Sequence, residues 1–215
     1  INRLREGART GMRTPDKFVS LEHLLHDMRL YKSRSEIRVM RSAAKVACRA
    51  HARAMQTCRP GMQEYQIEAE LLHEFRRAGM VPAYSSIVGG GANGCILHYT
   101  ENSAQLNDGD LLLIDAGAEY DCYASDVTRT FPVCGRFSQA QKQLYEVVLA
   151  AQTAAIKKVR PGNHWNDPHQ AAVRVLTRGL VKLGILKGKP AELIRKDAYR
   201  RSEERRVGKE CRSRW

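Results

Sequence analysis

The stretch at residues 111–126 reads LLLIDAGAEYDCYASD, and it decides the fold class. Four aliphatic residues run directly into Asp115, and a second acid, Asp126, follows eleven positions later. Burying an unpaired carboxylate is costly, so acids at the ends of apolar strands require an explanation. The pattern predicts a pair of antiparallel strands whose ends carry the two acids.

The two acids are predicted to face each other. With a two-residue turn at Tyr120-Asp121, Asp115 lies directly opposite Asp126, and Gly117 lies opposite Ala124. Directly opposed side chains share one face, roughly 5 Å apart, where like charges repel. A hard cation such as Mn²⁺ or Mg²⁺ would remove the repulsion. A register slip of one residue would separate the acids, and from spacing alone a pair of exposed acids at strand ends explains the sequence equally well.

Helices are predicted on both sides of this strand pair, from the spacing of apolar residues. Ser35 and Ser138 are the expected caps of two of them, the second with Gln141 in the reciprocal position. Residues 85–100, SSIVGGGANGCILHYT, predict a strand, a glycine loop and a second strand. This order predicts an α+β domain with an antiparallel sheet flanked by helices. The predicted helices cover residues 21–30, 33–58, 64–79, 138–159 and 171–186.

Composition and charge exclude several classes of protein. The net charge is +13, but residues 60–150 carry an excess of acids. The basic residues elsewhere follow no nucleic-acid-binding motif, so we expect solvated helix faces and no nucleic-acid partner. No run of about eighteen apolar residues occurs, so no membrane span is expected. None of the six cysteines forms a CxxC pair, and we expect a reducing, cytoplasmic location.

A family resemblance rests on several motifs. IDAGAEYDCYASDVTRTFPV at 114–133 resembles the first half of the metal site in the aminopeptidase P family, the pita-bread metallopeptidases that remove an N-terminal residue preceding proline. CRPGMQEYQIEAELLHEFRRAGM at 58–80, SSIVGGGANGCILHYTEN at 85–102 and GLVKLGILKG at 179–188 are similar to the same family. The resemblance covers roughly residues 30–200 and implies the first half of a pita-bread domain.

The resemblance also implies a set of metal ligands. In that family two metal ions, usually Mn²⁺, are held by two Asp, one His and two Glu. Asp115 matches the residue that clasps one ion, and Asp126 matches the one that bridges both. Such sites generate a hydroxide at neutral pH and polarise the scissile carbonyl. The His and both Glu belong to a second half of the domain, which this sequence is not expected to contain.

Three further residues are candidates for the site. His98, in CILHYTEN, matches a family histidine that contacts substrate and helps to shuttle protons, although a lone histidine in a strand is more often packed. Tyr84 matches a position near the substrate cleft, although a core tyrosine fits equally well. Thr128 shares a face with Asp126 and is expected to orient it by a hydrogen bond. The GGGANG run at 89–94 lacks the Lys-Ser/Thr of a phosphate loop.

The chain is expected to divide into three parts. Residues 1–30 are interpreted as the end of an N-terminal domain and a linker, and residues 31–200 as a partial pita-bread catalytic domain. Residues 201–215, RSEERRVGKECRSRW, match the translation of a sequencing adapter, so we expect an artefactual or disordered tail. Because the chain starts at Ile1 rather than Met, an internal piece of a longer protein is expected.

The favoured function is a cytoplasmic Xaa-Pro aminopeptidase that acts on peptides with proline at the second position. We expect the chain by itself to be inactive, because part of the site is missing. Prolidase, which cleaves dipeptides, is an alternative, and so is a non-catalytic pita-bread module that binds peptides or proteins. The parent protein is compatible with a homo-oligomer, but the sequence does not fix its oligomeric state.

Overall fold

The computed structural model describes residues 19–202, and within this range six α-helices and six β-strands are present. The helices are α1 (Glu22–Leu30), α2 (Arg34–Thr57), α3 (Glu64–Arg77), α4 (Gln139–Ile156), α5 (Asp167–Lys182) and α6 (Pro190–Arg195). The strands are β1 (Val81–Pro82), β2 (Ile87–Gly90), β3 (Leu111–Ala116), β4 (Ala118–Tyr120), β5 (Tyr123–Ala124) and β6 (Val127–Pro132). Short 3₁₀ helices cover Gly91–Cys95 and Ala198–Ser202. None of the helices in this range could span a membrane.

The strands form two small antiparallel sheets, ordered β2-β3-β6 and β1-β4-β5. Along the central strand β3, buried and half-buried residues alternate, because successive side chains of a strand point to opposite faces. Leu112, Ile114 and Ala116 therefore face the core, and Asp115 faces away from it. The predicted α+β class with an antiparallel sheet is confirmed.

The core lies between the β2-β3-β6 sheet and helices α2 and α3. Ala50 and Ala54 of α2 are fully buried, and their small side chains let this helix approach its neighbours closely. Ile67, Leu71 and Phe75 of α3 fill the same cluster with no exposed surface. Burying each large apolar side chain contributes about 1.5–3 kcal/mol. This packing determines which side of the sheet is left to carry Asp115.

The start of α2 differs from the prediction. Ser33, not Ser35, is the cap: the Ser33 hydroxyl accepts from the backbone N–H of Glu36 at 3.3 Å, and the Glu36 carboxylate accepts from the N–H of Ser33 at 2.5 Å. Ser33 is the cap because Glu36, three positions later, completes the capping box. The predicted cap at Ser138 with Gln141 is confirmed.

The prediction of a strand after the glycine loop is wrong, because the described structure has none at residues 95–100. In the described structure, Gly91–Cys95 form a 3₁₀ helix, and His98 lies in a turn with a φ of 56°. Tyr99 and Asn102 are buried instead of alternating in and out. Their polar groups bind α3 and β2, and these hydrogen bonds replace strand pairing.

Helices α4 and α5 pack against each other as a pair. Gly179 of α5 permits close contact, because a Cβ there would lie 2.3 Å from Val147 Cγ1. Both helices were predicted, but α4 ends at Ile156 rather than 159, and α5 begins at Asp167 rather than 171. The short helix α6 was not predicted. A cleft of about 710 Å³, lined by α4 and the outer strand β6, separates the pair from the sheet.

The proposed division at residue 30 stays a prediction. Helix α1 has no buried residue, and this is the behaviour expected of a linker segment. Residues 1–18 and 203–215 lie outside the described part of the chain, and so does nearly all of the expected tail at 201–215.

Candidate metal centre

The structure brings the two predicted acids together around a tyrosine hydroxyl. Tyr84 Oη lies 2.6 Å from Asp115 Oδ1 and 3.0 Å from Asp126 Oδ1. Tyr84 precedes β2, Asp115 lies on β3, and Asp126 comes just before β6. The distance between Asp115 Oδ1 and Asp126 Oδ1 therefore cannot exceed the sum of their distances to Tyr84 Oη. Asp115 is half-buried and Asp126 is exposed, so the pair is open to a ligand from solvent.

The Tyr84 hydroxyl has only one proton to share between these carboxylates. Partial burial of the phenol raises its pKa well above the ordinary value. The hydrogen bonds to Asp115 and Asp126, and their negative charges, raise it further. The hydroxyl therefore stays protonated at neutral pH and acts on the pair as a donor.

The register of the hairpin differs from the prediction by two residues. Asp115 lies opposite Thr128, not opposite Asp126, and Tyr120 lies opposite Tyr123. The turn therefore consists of Asp121-Cys122, which have φ values of 47° and 65°. Two positive φ values are typical of the type I′ turn that suits a two-residue hairpin. Because the shift is even, both acids keep the predicted face.

Gly117 and Ser125 fix the segment that carries Asp126. A Cβ on Gly117 would lie 1.7 Å from the backbone oxygen of Ser125, so only glycine fits. The buried Ser125 hydroxyl donates to Ala118 O at 2.9 Å and accepts from Ala118 N at 3.0 Å. The backbone N–H of Ser125 donates to Ala118 O as well. No sequence motif marks Ser125, and the sequence analysis missed it.

Thr128 lies on the predicted face but does not contact Asp126 by a hydrogen bond. It is exposed, and it is the cross-strand partner of Asp115. Among the described residues no hydrogen bond of its side chain is present, and the donor to both acids is Tyr84. The orienting role of Thr128 stays a prediction.

His98 is exposed at the end of the glycine-rich segment. Its positive φ places it in a turn between the 3₁₀ helix and the buried Tyr99. The structure does not join His98 to the Tyr84, Asp115 and Asp126 cluster by any hydrogen bond within the described range. Its expected catalytic and substrate-binding roles therefore stay predictions.

A buried carboxylate, missed in the sequence analysis, holds the glycine-rich segment in place. Glu64, the first residue of α3, is 0% exposed. Its Oε1 accepts from Gly90 N at 2.8 Å and Asn93 Nδ2 at 3.1 Å. Its Oε2 accepts from Tyr99 Oη at 2.6 Å and Ala104 N at 2.9 Å. Burial and the bond to Glu64 raise the pKa of the Tyr99 phenol. The carboxylate is thus satisfied by four donors, as a buried charge requires.

Asn102 performs a similar task for β2. Its Oδ1 accepts from Val88 N at 2.9 Å, and its Nδ2 donates to Ser86 O and Glu68 Oε2. Its φ of 47° is one that asparagine tolerates better than most residues. Together, Glu64 and Asn102 anchor both ends of the segment that presents His98.

The donor atoms at Asp115 and Asp126 fit a hard divalent cation. Carboxylate oxygens are the ligands that Mg²⁺ and Mn²⁺ prefer. In residues 19–202 no group of three or more His, Cys, Asp and Glu side chains could hold a metal ion. The described structure thus brings two carboxylates together, and their role as metal ligands stays a prediction.

Comparison with known proteins identifies relatives of this chain. Residues 38–205 match the model of metallopeptidase family M24. The Xaa-Pro aminopeptidase of Escherichia coli strain K12 is 49% identical over 201 residues, covering 93% of this chain and 46% of the relative. The Xaa-Pro aminopeptidase of Haemophilus influenzae is 54% identical over 178 residues, covering 82% of this chain and 41% of the relative.

Solved structures show the same fold. The Pseudomonas aeruginosa aminopeptidase PepP superposes with a TM-score of 0.89 at 60% identity, covering 93% of this chain and 46% of that one. Zinc-substituted E. coli aminopeptidase P in complex with product gives a TM-score of 0.88 at 50% identity, with the same coverage. The chain spans about half the length of the curated relatives it matches.

Proposed function

Because the chain belongs to metallopeptidase family M24, we propose that it forms about half of a metal-dependent aminopeptidase that releases the N-terminal residue preceding proline. The observation that carries the proposal is the convergence of Asp115 and Asp126 on one hydroxyl, on the side of the sheet that faces away from the core. The relatives named Xaa-Pro aminopeptidase, at 49% and 54% identity, support the same activity.

Asp115 and Asp126 would hold metal, and we propose two Mn²⁺ ions in the complete site. When bound, such ions activate water and polarise the scissile carbonyl. Among this chain's own residues, Ser125 and Gly117 fix the backbone next to Asp126, and the hydrogen bonds of Glu64 fix the segment that presents His98. His98 is proposed to contact the peptide and move protons near its scissile bond.

The test is hydrolysis of a tripeptide with proline at the second position by the full-length enzyme with added Mn²⁺. Asp115→Ala and Asp126→Ala should each abolish turnover. The matched control is Asp108→Ala, which removes an exposed aspartate in the turn before β3. Equal activity in all three variants would contradict the proposal. Cleavage of Xaa-Pro dipeptides alone would identify a prolidase instead, and binding without turnover a non-catalytic module.

The 215-residue chain provides a second arm of this test. We propose that it does not hydrolyse the tripeptide, because within residues 19–202 no third ligand joins the two carboxylates, and such a pair cannot hold two ions in a defined arrangement. Turnover that Asp126→Ala abolishes would show that unrecognised residues complete the site. The cytoplasmic location is likewise a proposal, and cell fractionation of the source organism would test it.

A further inference from the structure

The hydroxyl of Tyr84 lies between the two carboxylates of the acid pair. It lies within hydrogen-bond distance of one oxygen on each carboxylate, at 2.6 and 3.0 Å. Both of these contacts join segments far apart in sequence, since Tyr84 precedes β2 and the acids flank the hairpin. No other described side chain touches both Asp115 and Asp126 by a hydrogen bond.

The backbone alone does not hold the two acids in one arrangement. Asp115 lies within the paired part of β3, whereas Asp126 lies between β5 and β6, outside both strands. Asp126 is also exposed, so its side chain has rotamers available in solvent. The carboxylates repel each other, and a neutral donor between them offsets this repulsion. A single hydroxyl shared by both oxygens thus restricts the rotamers of both side chains.

We infer that Tyr84 is a positioning residue that fixes Asp115 and Asp126 in the orientation that receives divalent metal, and that it does not contact the substrate. The inference rests on the proposed function of the acid pair. Removing a hydrogen-bond partner of a metal ligand typically lowers metal affinity or activity by roughly 10- to 100-fold. Because the hydroxyl acts through the ligands, its loss should weaken metal binding directly.

The experiment measures Mn²⁺ binding to the metal-free full-length enzyme by calorimetry. Tyr84→Phe keeps the ring and removes only the hydroxyl, and the Kd for Mn²⁺ should rise about 10- to 100-fold. Tyr65→Phe is the matched control, because Tyr65 is an exposed residue of α3, and its Kd should equal that of the wild type. A Kd for Tyr84→Phe within about twofold of the wild type would overturn the inference.

Two further variants at position 84 keep the inference testable if Tyr84→Phe does not fold. 4-Aminophenylalanine at position 84 keeps the size of tyrosine and offers N–H donors, whereas 4-methylphenylalanine keeps the size and offers none. The amino variant should restore Mn²⁺ affinity and the methyl variant should not. Equal affinities in these two variants would overturn the inference even if Tyr84→Phe did not fold.

Steady-state kinetics separate positioning from substrate binding. At saturating Mn²⁺, Tyr84→Phe should lower kcat and leave KM for the tripeptide within about twofold. A raised KM with unchanged kcat and unchanged Kd for Mn²⁺ would instead make Tyr84 a substrate contact. If the wild type binds Mn²⁺ but cleaves no proline peptide, the proposed function fails while the binding test of Tyr84 still stands.

Discussion

Replacing Glu64 by glutamine should destabilise the segment formed by residues 89–104. We expect a larger effect than from replacing any other glutamate of α3 by glutamine. The Glu64 carboxylate is fully buried and accepts four hydrogen bonds. A glutamine amide can accept at only one of its two terminal atoms. Its oxygen is best placed towards Gly90 and Asn93, since two nitrogen donors meet there and neither can reverse its role.

The amide nitrogen then faces Tyr99 and Ala104. The Tyr99 hydroxyl can rotate to accept, but the half-buried N–H of Ala104 cannot, so it loses its partner. An unsatisfied buried donor costs about 1–3 kcal/mol, and hydrogen bonds to a neutral acceptor are weaker than those to a charged one by roughly 1 kcal/mol. A neutral amide is easier to bury, which offsets part of this loss. We expect a net local destabilisation of about 2–4 kcal/mol.

Hydrogen exchange followed by mass spectrometry measures this effect in the full-length protein. Peptides that cover residues 89–104 should exchange about 30- to 700-fold faster, because 1.4 kcal/mol corresponds to a factor of ten. Glu70→Gln is the control on the same helix, since it removes only the ion pair with Arg53 and should cost less than about 1 kcal/mol. Unchanged exchange in Glu64→Gln, or an equal effect in Glu70→Gln, would refute the reasoning.

Two further predictions concern the hairpin and its contact with α2. Gly117→Ala should destabilise the fold by about 1–3 kcal/mol and weaken Mn²⁺ binding, because the new Cβ would lie 1.7 Å from Ser125 O; a variant that melts with the wild type would contradict the close contact. The Glu36 pKa is lowered from 4.5 to about 2, first by the hydrogen bond from Tyr123 and then by Ser33. Its contribution to stability is therefore present above about pH 4.5 and lost as the pH falls towards 2. The difference in melting temperature between the wild type and Tyr123→Phe should narrow over this range, and a constant difference would count against the contact.

The sequence predicted the elements that follow a period or a motif. The helices, the capping box at Ser138 and the common face of Asp115 and Asp126 depend on local spacing, and the structure agrees with them. The register of the hairpin between Asp115 and Asp126 could not be predicted in the same way, because it depends on which residues of the turn adopt positive φ. Cys122 is not a residue type that normally marks such a position.

Long-range hydrogen bonds account for what the sequence analysis missed. Glu64 is one of several acids on an amphipathic helix, and nothing in its neighbourhood distinguishes it from Glu70. Its burial depends on donors that are 26 to 40 residues away in the chain. The same distant partners bury Tyr99 and Asn102, and they explain why an apparently strand-like segment forms turns.

The two-residue turn at Asp121-Cys122 has a consequence for how this hairpin can vary in length. Strand side chains alternate with a period of two, so inserting or deleting one residue between Asp115 and Asp126 would move one acid to the opposite face. A change of two residues would shift the pairing and leave both acids where a cation can reach them. Natural length variants of this loop that retain metal binding should therefore differ by even numbers of residues, and odd ones should survive only with a compensating β-bulge.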